Sequence, residues 1–318
     1  MITGLLFRGT SALWSAASAT ARELASRELL LKPERLDCRV ISVGNLQAGG
    51  AGKTPLVAEL ARQAEIRGKR AAILCRGYGG AWEITGGTLS PGQPANALEC
   101  GDEAALLSEL APAAWIGVGA DRVAQFHALR KSLGRAPDLV ILDDGFQHWR
   151  IHKDLEMVAV TSRSRGETLY RDWSGALARA DLVVWTKGDI APEAGGRPLI
   201  RVRFVLPEAM TTGGGAAPKI WLITGVADGN EVLRTTRAAG YDVVGHTSFP
   251  DHAVYARPIV AELRERARGG GYELALTGKD WVKWREFGVS RADVRVLEPE
   301  VRFEGAGRAL WDRILWAS

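Results

Sequence analysis

The sequence is poor in cysteine: Cys38, Cys75 and Cys100 are the only three in 318 residues, far apart and never as C-x-x-C. That spacing excludes a disulfide framework and a cysteine zinc site, and it implies a reducing compartment. There is no lysine-rich run and no RNA-binding signature. The net charge of +4 therefore suits an anionic substrate or a membrane surface and does not call for nucleic acid. No fixed-period repeat is visible. The longest uncharged run near the N-terminus, Gly9–Ala21, is too short to span a bilayer. Charged residues make up an ordinary 25%, which excludes a disordered chain, and 46% hydrophobic residues can bury a sizeable core. The length fits about two domains.

Residues 1–30 are apolar and rich in small residues, with Arg8, Arg22 and Arg27 spaced along them. Ile2, Leu6, Leu13, Trp14, Ala17 and Leu24 fall roughly on one side of a helix. A basic residue follows the apolar start and the helical pattern continues past any cleavage point, which argues against a signal peptide. Two readings stay open. One is a first helix packed on the core; the other is an amphipathic helix lying in the membrane plane with Trp14 at the interface.

Strands and helices then alternate. "CRVISVGNL" reads as a β-branched strand, "PLVAELARQAEIRG" as a helix, "RAAILC" as a strand and "GDEAALLSELA" as a helix; "AWIGVG", "PDLVILDD", "LEMVAVTS" and "ADLVVWTKGD" read as further strands. This alternation predicts an α/β fold with a mostly parallel sheet and helices on both faces. The Gly/Ala/Pro stretch from Gly213 to Pro218 reads as a linker or loop, with a smaller α/β domain beyond it. The predicted division is an N-terminal helix over 1–30, a P-loop core over 31–206 and a smaller C-terminal domain over 207–318.

"NLQAGGAGKTPL" lies between a predicted strand and a predicted helix, the context in which a glycine-rich loop cradles phosphate. Gln47, Ala48, Gly49, Gly50, Ala51, Gly52, Lys53 and Thr54 are the candidate nucleotide-binding residues. Gln47 stands where the common pattern opens with glycine. Lys53 is placed to reach the outer phosphates and Thr54 to ligate Mg²⁺. Asp143 and Asp144 end an apolar strand, the position at which P-loop proteins hold that metal. Together these features predict ATP or a related triphosphate with Mg²⁺.

Two alternatives use the same loop. Partition-type and metallochaperone ATPases and GTPases share "AGGAGKT", but they carry lysine where Ala48 stands here. "TKGD", Thr186 to Asp189, resembles the guanine-reading TKxD motif of GTPases, although no D-x-x-G follows Asp143.

"SVGNLQAGGAGKTP", "RGYGG", "GDEA", "GADR", "ILDDGFQH", "RADLVVWTK", "LITGVAD" and "FPDH" occur in that order across nearly the whole chain. In this combination the sequence resembles the bacterial tetraacyldisaccharide 4'-kinases, the lipid A 4'-kinases. That family's loop also lacks the early glycine. The resemblance implies ATP-dependent phosphorylation of the 4'-hydroxyl of a tetraacylated glucosamine disaccharide 1-phosphate, a step of lipid A (lipopolysaccharide) biosynthesis. It also implies a core and a smaller lid domain joined by a two-stranded ribbon. The location it implies is peripheral, at the cytoplasmic face of the inner membrane, with no obligate protein partner.

By the same resemblance Asp102 matches the catalytic aspartate and His252 the histidine paired with it, while Lys53 serves the transferred phosphoryl group. Asn45, Arg76, Tyr78, Arg122, Gln147 and His148 match residues of the substrate side. Arg76 and Arg122 are candidates to clamp the 1-phosphate, and Tyr78 to stack on a sugar or acyl chain. Under these boundaries Asp102 and His252 lie in different domains, so lid closure is expected to bring them together. Four positions depart from the family's usual pattern: Ala104 after "GDE", Trp149 before Arg150, Asp172 where glutamate is usual, and "TGKD" at Thr277 to Asp280.

Overall fold

The computed structural model describes residues 10–12, 14–18, 20, 32–47, 49–164, 166–209 and 217–316. Ala48, one of the candidate nucleotide-binding residues, lies outside them, as does most of the predicted first helix.

The strands of the first half are β1 (Arg39–Asn45), β2 (Ala71–Cys75), β3 (Gly87–Leu89), β4 (Trp115–Val118), β5 (Leu139–Asp143), β6 (Leu155–Thr161), β7 (Leu182–Lys187) and β8 (Leu199–Val205). Then come β9 (Lys219–Thr224), β10 (Asp242–Ser248), β11 (Glu273–Thr277), β12 (Val294–Leu297) and β13 (Glu300–Phe303). The main helices are α1 (Lys53–Ile66), α2 (Asp102–Leu110), α3 (Arg122–Leu133), α4 (Gly229–Ala238), α5 (Arg257–Gly270), α6 (Gly278–Trp284) and α7 (Gly307–Trp316).

The large sheet runs β13-β8-β7-β6-β1-β5-β2-β4-β3, and the small one β10-β9-β11-β12. All pairings are parallel except at the two edges of the large sheet, where β13–β8 and β3–β4 are antiparallel. Parallel strands covered on both faces need apolar residues throughout. β2 and β5 accordingly read AAILC and LVILD and are buried along their whole length.

β1 sits between β5 and β6, with Ile41 opposite both Ile141 and Leu155. The chain leaves β1 through α1 toward β2 on one side, and reaches β6 on the other side only after β5. The loop at the carboxyl end of β1 therefore lies at the point where the winding reverses, the crevice that open α/β sheets use for ligands.

The last stretch of chain returns to the large sheet. β13 pairs with β8, Val301 facing Phe204, so these two strands form an antiparallel ribbon leading to and from the small sheet. Residues 300–316, grouped from sequence with the smaller domain, thus pack on the large sheet. Trp311 of α7 is fully buried, its ring meets Phe303 edge-on at 5.2 Å, and its Nε1 donates to Gln63 Oε1 of α1 at 2.9 Å. One hydrophobic cluster links the two sheets, running from Ile41, Leu56 and Ile141 to Ile223, Leu276 and Trp284.

Trp311→Ala should cost about 3–5 kcal/mol in urea unfolding, the range for deleting a buried aromatic. A loss below about 1 kcal/mol, the size of an ordinary surface change, would make α7 peripheral to the stability of the large sheet.

Candidate functional site

The described part of the β1–α1 loop has the backbone form of a phosphate cradle. α1 starts after Gly52, which is left-handed at φ 74°, with no side-chain cap and no acidic residue in the first turn. Its first N–H groups are therefore left for an anion, at the positive end of the helix. Only glycine fits at 52: besides the positive φ, a Cβ there would lie 2.1 Å from Phe204 Cε2. Gly49 is likewise left-handed, at φ 91°. Thr54 follows Lys53 in the first turn of α1.

Gln47 does not take part in that cradle as a donor to phosphate. It is buried, and its amide is committed to the end of β6 and to the loop beyond that strand. Oε1 accepts from Thr161 N at 2.8 Å and Thr161 Oγ1 at 3.0 Å, while Nε2 donates to Arg163 O at 2.8 Å and Tyr170 Oη at 3.0 Å. Where the common loop has glycine, this chain has a side chain that fastens the loop to its neighbours.

Lys53 Nζ donates to Asn45 Oδ1 at 3.2 Å and pairs with Asp144 Oδ1 at 3.3 Å. Asn45, buried at the end of β1, also donates to the Gln47 carbonyl, and Gln147 Nε2 donates to the Asn45 carbonyl at 3.1 Å. Both residues, matched to the substrate side, are here ties within the loop. Asp144 is left-handed at φ 52° and also pairs with Arg171 at 2.8 Å. Burial works against its ionisation, but the Lys53 and Arg171 charges outweigh this and hold the carboxyl at about 2.

Asp143 is the opposite case. Burial, with Glu103 adding to it, raises its pKa. Its Oδ1 is buried with no hydrogen-bond partner among the described residues. A carboxylate in that setting fits an added cation. Two carboxylates and one hydroxyl are the sparse protein ligand set that Mg²⁺ takes when phosphates and water complete its shell.

Arg122 is buried. Its Nη2 donates to the Asp143 carbonyl at 3.2 Å and its Nη1 lies 3.4 Å from His148 Nδ1. It braces the end of β5 from within. Burial, with Arg122 beside it, lowers the His148 pKa to about 3, so the ring stays neutral. Arg76 is placed differently. It is exposed, pairs with Glu83 at 2.7 Å, and lines an open cleft of about 610 Å³ with Ile84, Asp121 and Gln125. Asp121 caps α3 by accepting from Ala124 N at 3.2 Å.

Asp102 and His252 are in contact. His252 Nδ1 lies 3.0 Å from Asp102 Oδ2, so no closure is needed to join them. Gly101, not Asp102, is the N-cap of α2, which removes helix capping as the reason for this aspartate. Gly101 has φ 84°, and a Cβ there would lie 2.9 Å from the Tyr78 carbonyl oxygen. That close approach packs the "RGYGG" turn on the start of α2 and sets Tyr78 edge-on to His252 at 5.5 Å. Tyr78 remains exposed beside the histidine.

Lys283 adds a charge 3.5 Å from Asp102 Oδ2, and Lys279 pairs with the adjacent Glu103 at 3.3 Å. Burial opposes ionisation of Asp102, but the His252 hydrogen bond and the Lys279 and Lys283 charges outweigh it and hold the carboxyl at about 2. The same hydrogen bond raises the pKa of His252, itself left-handed at φ 58°. Asp102 Oδ1 is buried and has no partner among the described residues. The constellation offers an ionised oxygen with a free lone pair, its other oxygen anchored by cations.

Arg171, Lys279 and Lys283 were missed from sequence. Arg171 adjoins the Asp172 departure. Asp172 is buried and accepts from Ser18 Oγ at 3.4 Å and Trp173 N at 2.8 Å, a tie to the N-terminal helical residues. Lys279 and Lys283 sit on α6, whose seven residues are too few for a visible pattern.

Comparison with known proteins agrees with this geometry. The family model described as LpxK, tetraacyldisaccharide-1-P 4'-kinase, matches residues 4–315. A protein of Geobacter sulfurreducens named tetraacyldisaccharide 4'-kinase is 38% identical over 282 residues, 82% of this chain and 79% of the relative. One of Geobacter metallireducens with the same name is 37% identical over 289 residues, 84% and 85% of the two chains. Among solved structures, LpxK from Aquifex aeolicus in complex with ATP is similar at a TM-score of 0.74 and 26% identity, covering 99% of this chain and 100% of that one.

The Asp102–His252 pair should make stability depend on pH in a definite sense. A raised His252 pKa contributes stability that is complete below the free-histidine value of 6.5 and fades as pH rises through the raised value. The lowered Asp102 pKa contributes above 3.8 and is lost as pH falls toward about 2. The melting-temperature gap between wild type and His252→Gln should therefore be widest near pH 5–6 and shrink by about pH 9. A gap that widens with pH would reverse the assignment.

Proposed function

We infer the chemistry of this site from one premise: the chain belongs to the tetraacyldisaccharide-1-P 4'-kinase family. It is an ATP-dependent kinase that phosphorylates the 4'-hydroxyl of a tetraacylated glucosamine disaccharide 1-phosphate, in lipid A biosynthesis. The single observation that carries the site assignment is Asp102: a buried, ionised carboxylate with one oxygen held by His252 and the other without a hydrogen-bond partner among the described residues.

The steps follow from that geometry. The loop N–H groups and Lys53 bind the polyphosphate, and Lys53 must leave Asp144 to do so. Thr54, Asp143 and Asp144 would hold Mg²⁺, which neutralises charge on the outer phosphates when bound. Arg171 then remains with Asp144. Asp102 Oδ1 orients the acceptor hydroxyl and takes its proton. A carboxyl held near 2 is a weak base. It is adequate here because a loose phosphoryl-transfer transition state keeps that proton on the oxygen until late. Arg76, exposed on its cleft, is the candidate partner of the 1-phosphate. The partition-type alternative is not favoured, and Ala48 lacks the lysine it uses.

The unit boundaries proposed with this function are a core of 31–206 completed by 300–316, and a smaller unit of 217–298. Location is proposed as peripheral, at the cytoplasmic face of the inner membrane. Among the described residues no helix is long and apolar enough to cross a membrane. Ser11 accepts from Tyr170 N at 2.9 Å and Ser15 is buried, while Trp14 on the same helical stretch is 54% exposed. That arrangement supports docking by the serine side and an aromatic left for the lipid interface.

The test of function is transfer from [γ-³²P]ATP to the tetraacyl disaccharide 1-phosphate, with the phosphorylated position identified. Lys53→Ala should leave a folded, inactive protein. Asp102→Asn should lower turnover by about 10²-fold or more with ATP affinity unchanged. His252→Ala should also lower turnover, and the double variant should be less than additive. Near-normal turnover by Asp102→Asn would remove the proton acceptor from the mechanism. For location, Trp14→Ser should reduce co-sedimentation with anionic vesicles without lowering the melting temperature. Unchanged sedimentation would take Trp14 out of the membrane contact.

A further inference from the structure

The lysine of "TKGD", which also closes the "RADLVVWTK" motif, has no role in the steps above, yet it stands over the phosphate loop. Lys187 ends β7, and its Nζ lies 3.8 Å from the position a Cβ would take on Gly50. The backbone that carries it is fastened at several points. The Lys187 carbonyl accepts from Ser162 N at 3.0 Å, Ser162 Oγ at 3.2 Å and Trp185 Nε1 at 2.8 Å. The next carbonyl, that of Gly188, accepts from Arg201 Nη2 at 2.8 Å. Arg201 in turn stacks on the Trp185 ring with its guanidinium 3.8 Å from the centroid. Gly188 is left-handed at φ 87°, and a Cβ there would lie 2.4 Å from Ser162 Oγ, so the turn admits no other residue.

This fixed stem ends in an ammonium with no ion pair among the described residues. Burial lowers its pKa, and the more distant Glu231 and Asp228 offset this only in part. A partly desolvated cation with no carboxylate in ion-pair contact among the described residues, aimed at a phosphate loop, has room for an anionic partner.

The sheet order says which part of the nucleotide it meets. Lys53 leans toward Asn45 and Asp144 at the ends of β1 and β5, and the Asp102 acceptor lies beyond, on the β2–β4 side. The transferred phosphoryl group must therefore point toward β5. The nucleoside end must extend the other way, over β6 and β7, where Lys187 stands.

We propose that Lys187 is a nucleotide-binding residue whose ammonium, held above Gly50, contacts the ribose–α-phosphate end of the bound nucleotide. It is a second cation in the nucleotide site, serving affinity and placement and not the transferring group. This rests on the kinase reading for the direction in which the nucleotide lies.

The experiment uses the full chain with Mg²⁺ and reads ADP and pyrophosphate binding by calorimetry. In Lys187→Met, which keeps the aliphatic stem, ADP should bind about tenfold more weakly, the loss of one charge-assisted hydrogen bond. Pyrophosphate, which lacks the nucleoside end, should change less than about twofold. The KM for ATP should rise with the ADP dissociation constant, while kcat at saturation and the KM for the lipid stay level. Lys187→Arg should restore most of the ADP affinity. Unchanged ADP binding by a folded Lys187→Met protein overturns the proposal, and so does an equal weakening of pyrophosphate. If Lys187→Met does not fold, Lys187→Gln carries the same comparison. ADP binding needs no lipid, so a failed 4'-kinase assay and a failed Lys187 result are separate outcomes.

Discussion

The contact between α2 and α6 fixes everything that depends on the acceptor side. α2 presents Asp102, Glu103 and Glu109, and the facing segment presents Lys279, Lys283, Arg285 and Arg291. Glu109 alone receives Trp281 Nε1 at 2.9 Å, Arg285, and Arg291 at 2.9 Å. Asp102 with Lys283 and Glu109 with Arg285 are the pairs most withdrawn from water, where removing one partner leaves the other poorly solvated. The smaller sheet is thus held in one place on the larger. His252, on the loop before α5, arrives at Asp102 as a consequence.

The phosphate loop is arranged by a similar exchange of charges. Before nucleotide binds, Lys53 is neutralised by Asp144 and steadied by Asn45. Asp143 next door forms no ion pair among the described residues, and burial raises its pKa. Lys53 and these two aspartates are the groups proposed above to serve the polyphosphate and a divalent cation. Gln47 holds the loop in register because its amide is tied to Thr161 and Arg163. A glycine there would provide conformational freedom but none of these bonds.

Position in the sheet gives the site its direction. Loops at the carboxyl ends of the parallel strands all open on one edge, and the winding reverses at β1. The acceptor carboxylate lies on the β2–β4 side and Lys187 on the β7 side, with the cradle between them. A molecule lying across this edge meets the elements in the order that phosphoryl transfer needs.

The large parallel sheet, the phosphate loop and the strand-end aspartates were legible in the chain alone, because these rest on local pattern: buried aliphatic runs, glycines before a lysine, carboxylates after an apolar strand. The motif order also identified Asp102 and His252 as partners. Packing in three dimensions was needed to show that they already touch, since 150 residues separate them and the contact is set by side chains of α2 against α6. Packing alone placed Arg122 inside, where its neighbours and not its charge settle its role. The resemblance implied a two-stranded ribbon between the units, but which strand returns to form it, and that α7 follows it onto the large sheet, were illegible for the same reason. β13 is a four-residue edge strand whose pairing with β8 spans about 100 positions of chain, and no local propensity records a partner that far away.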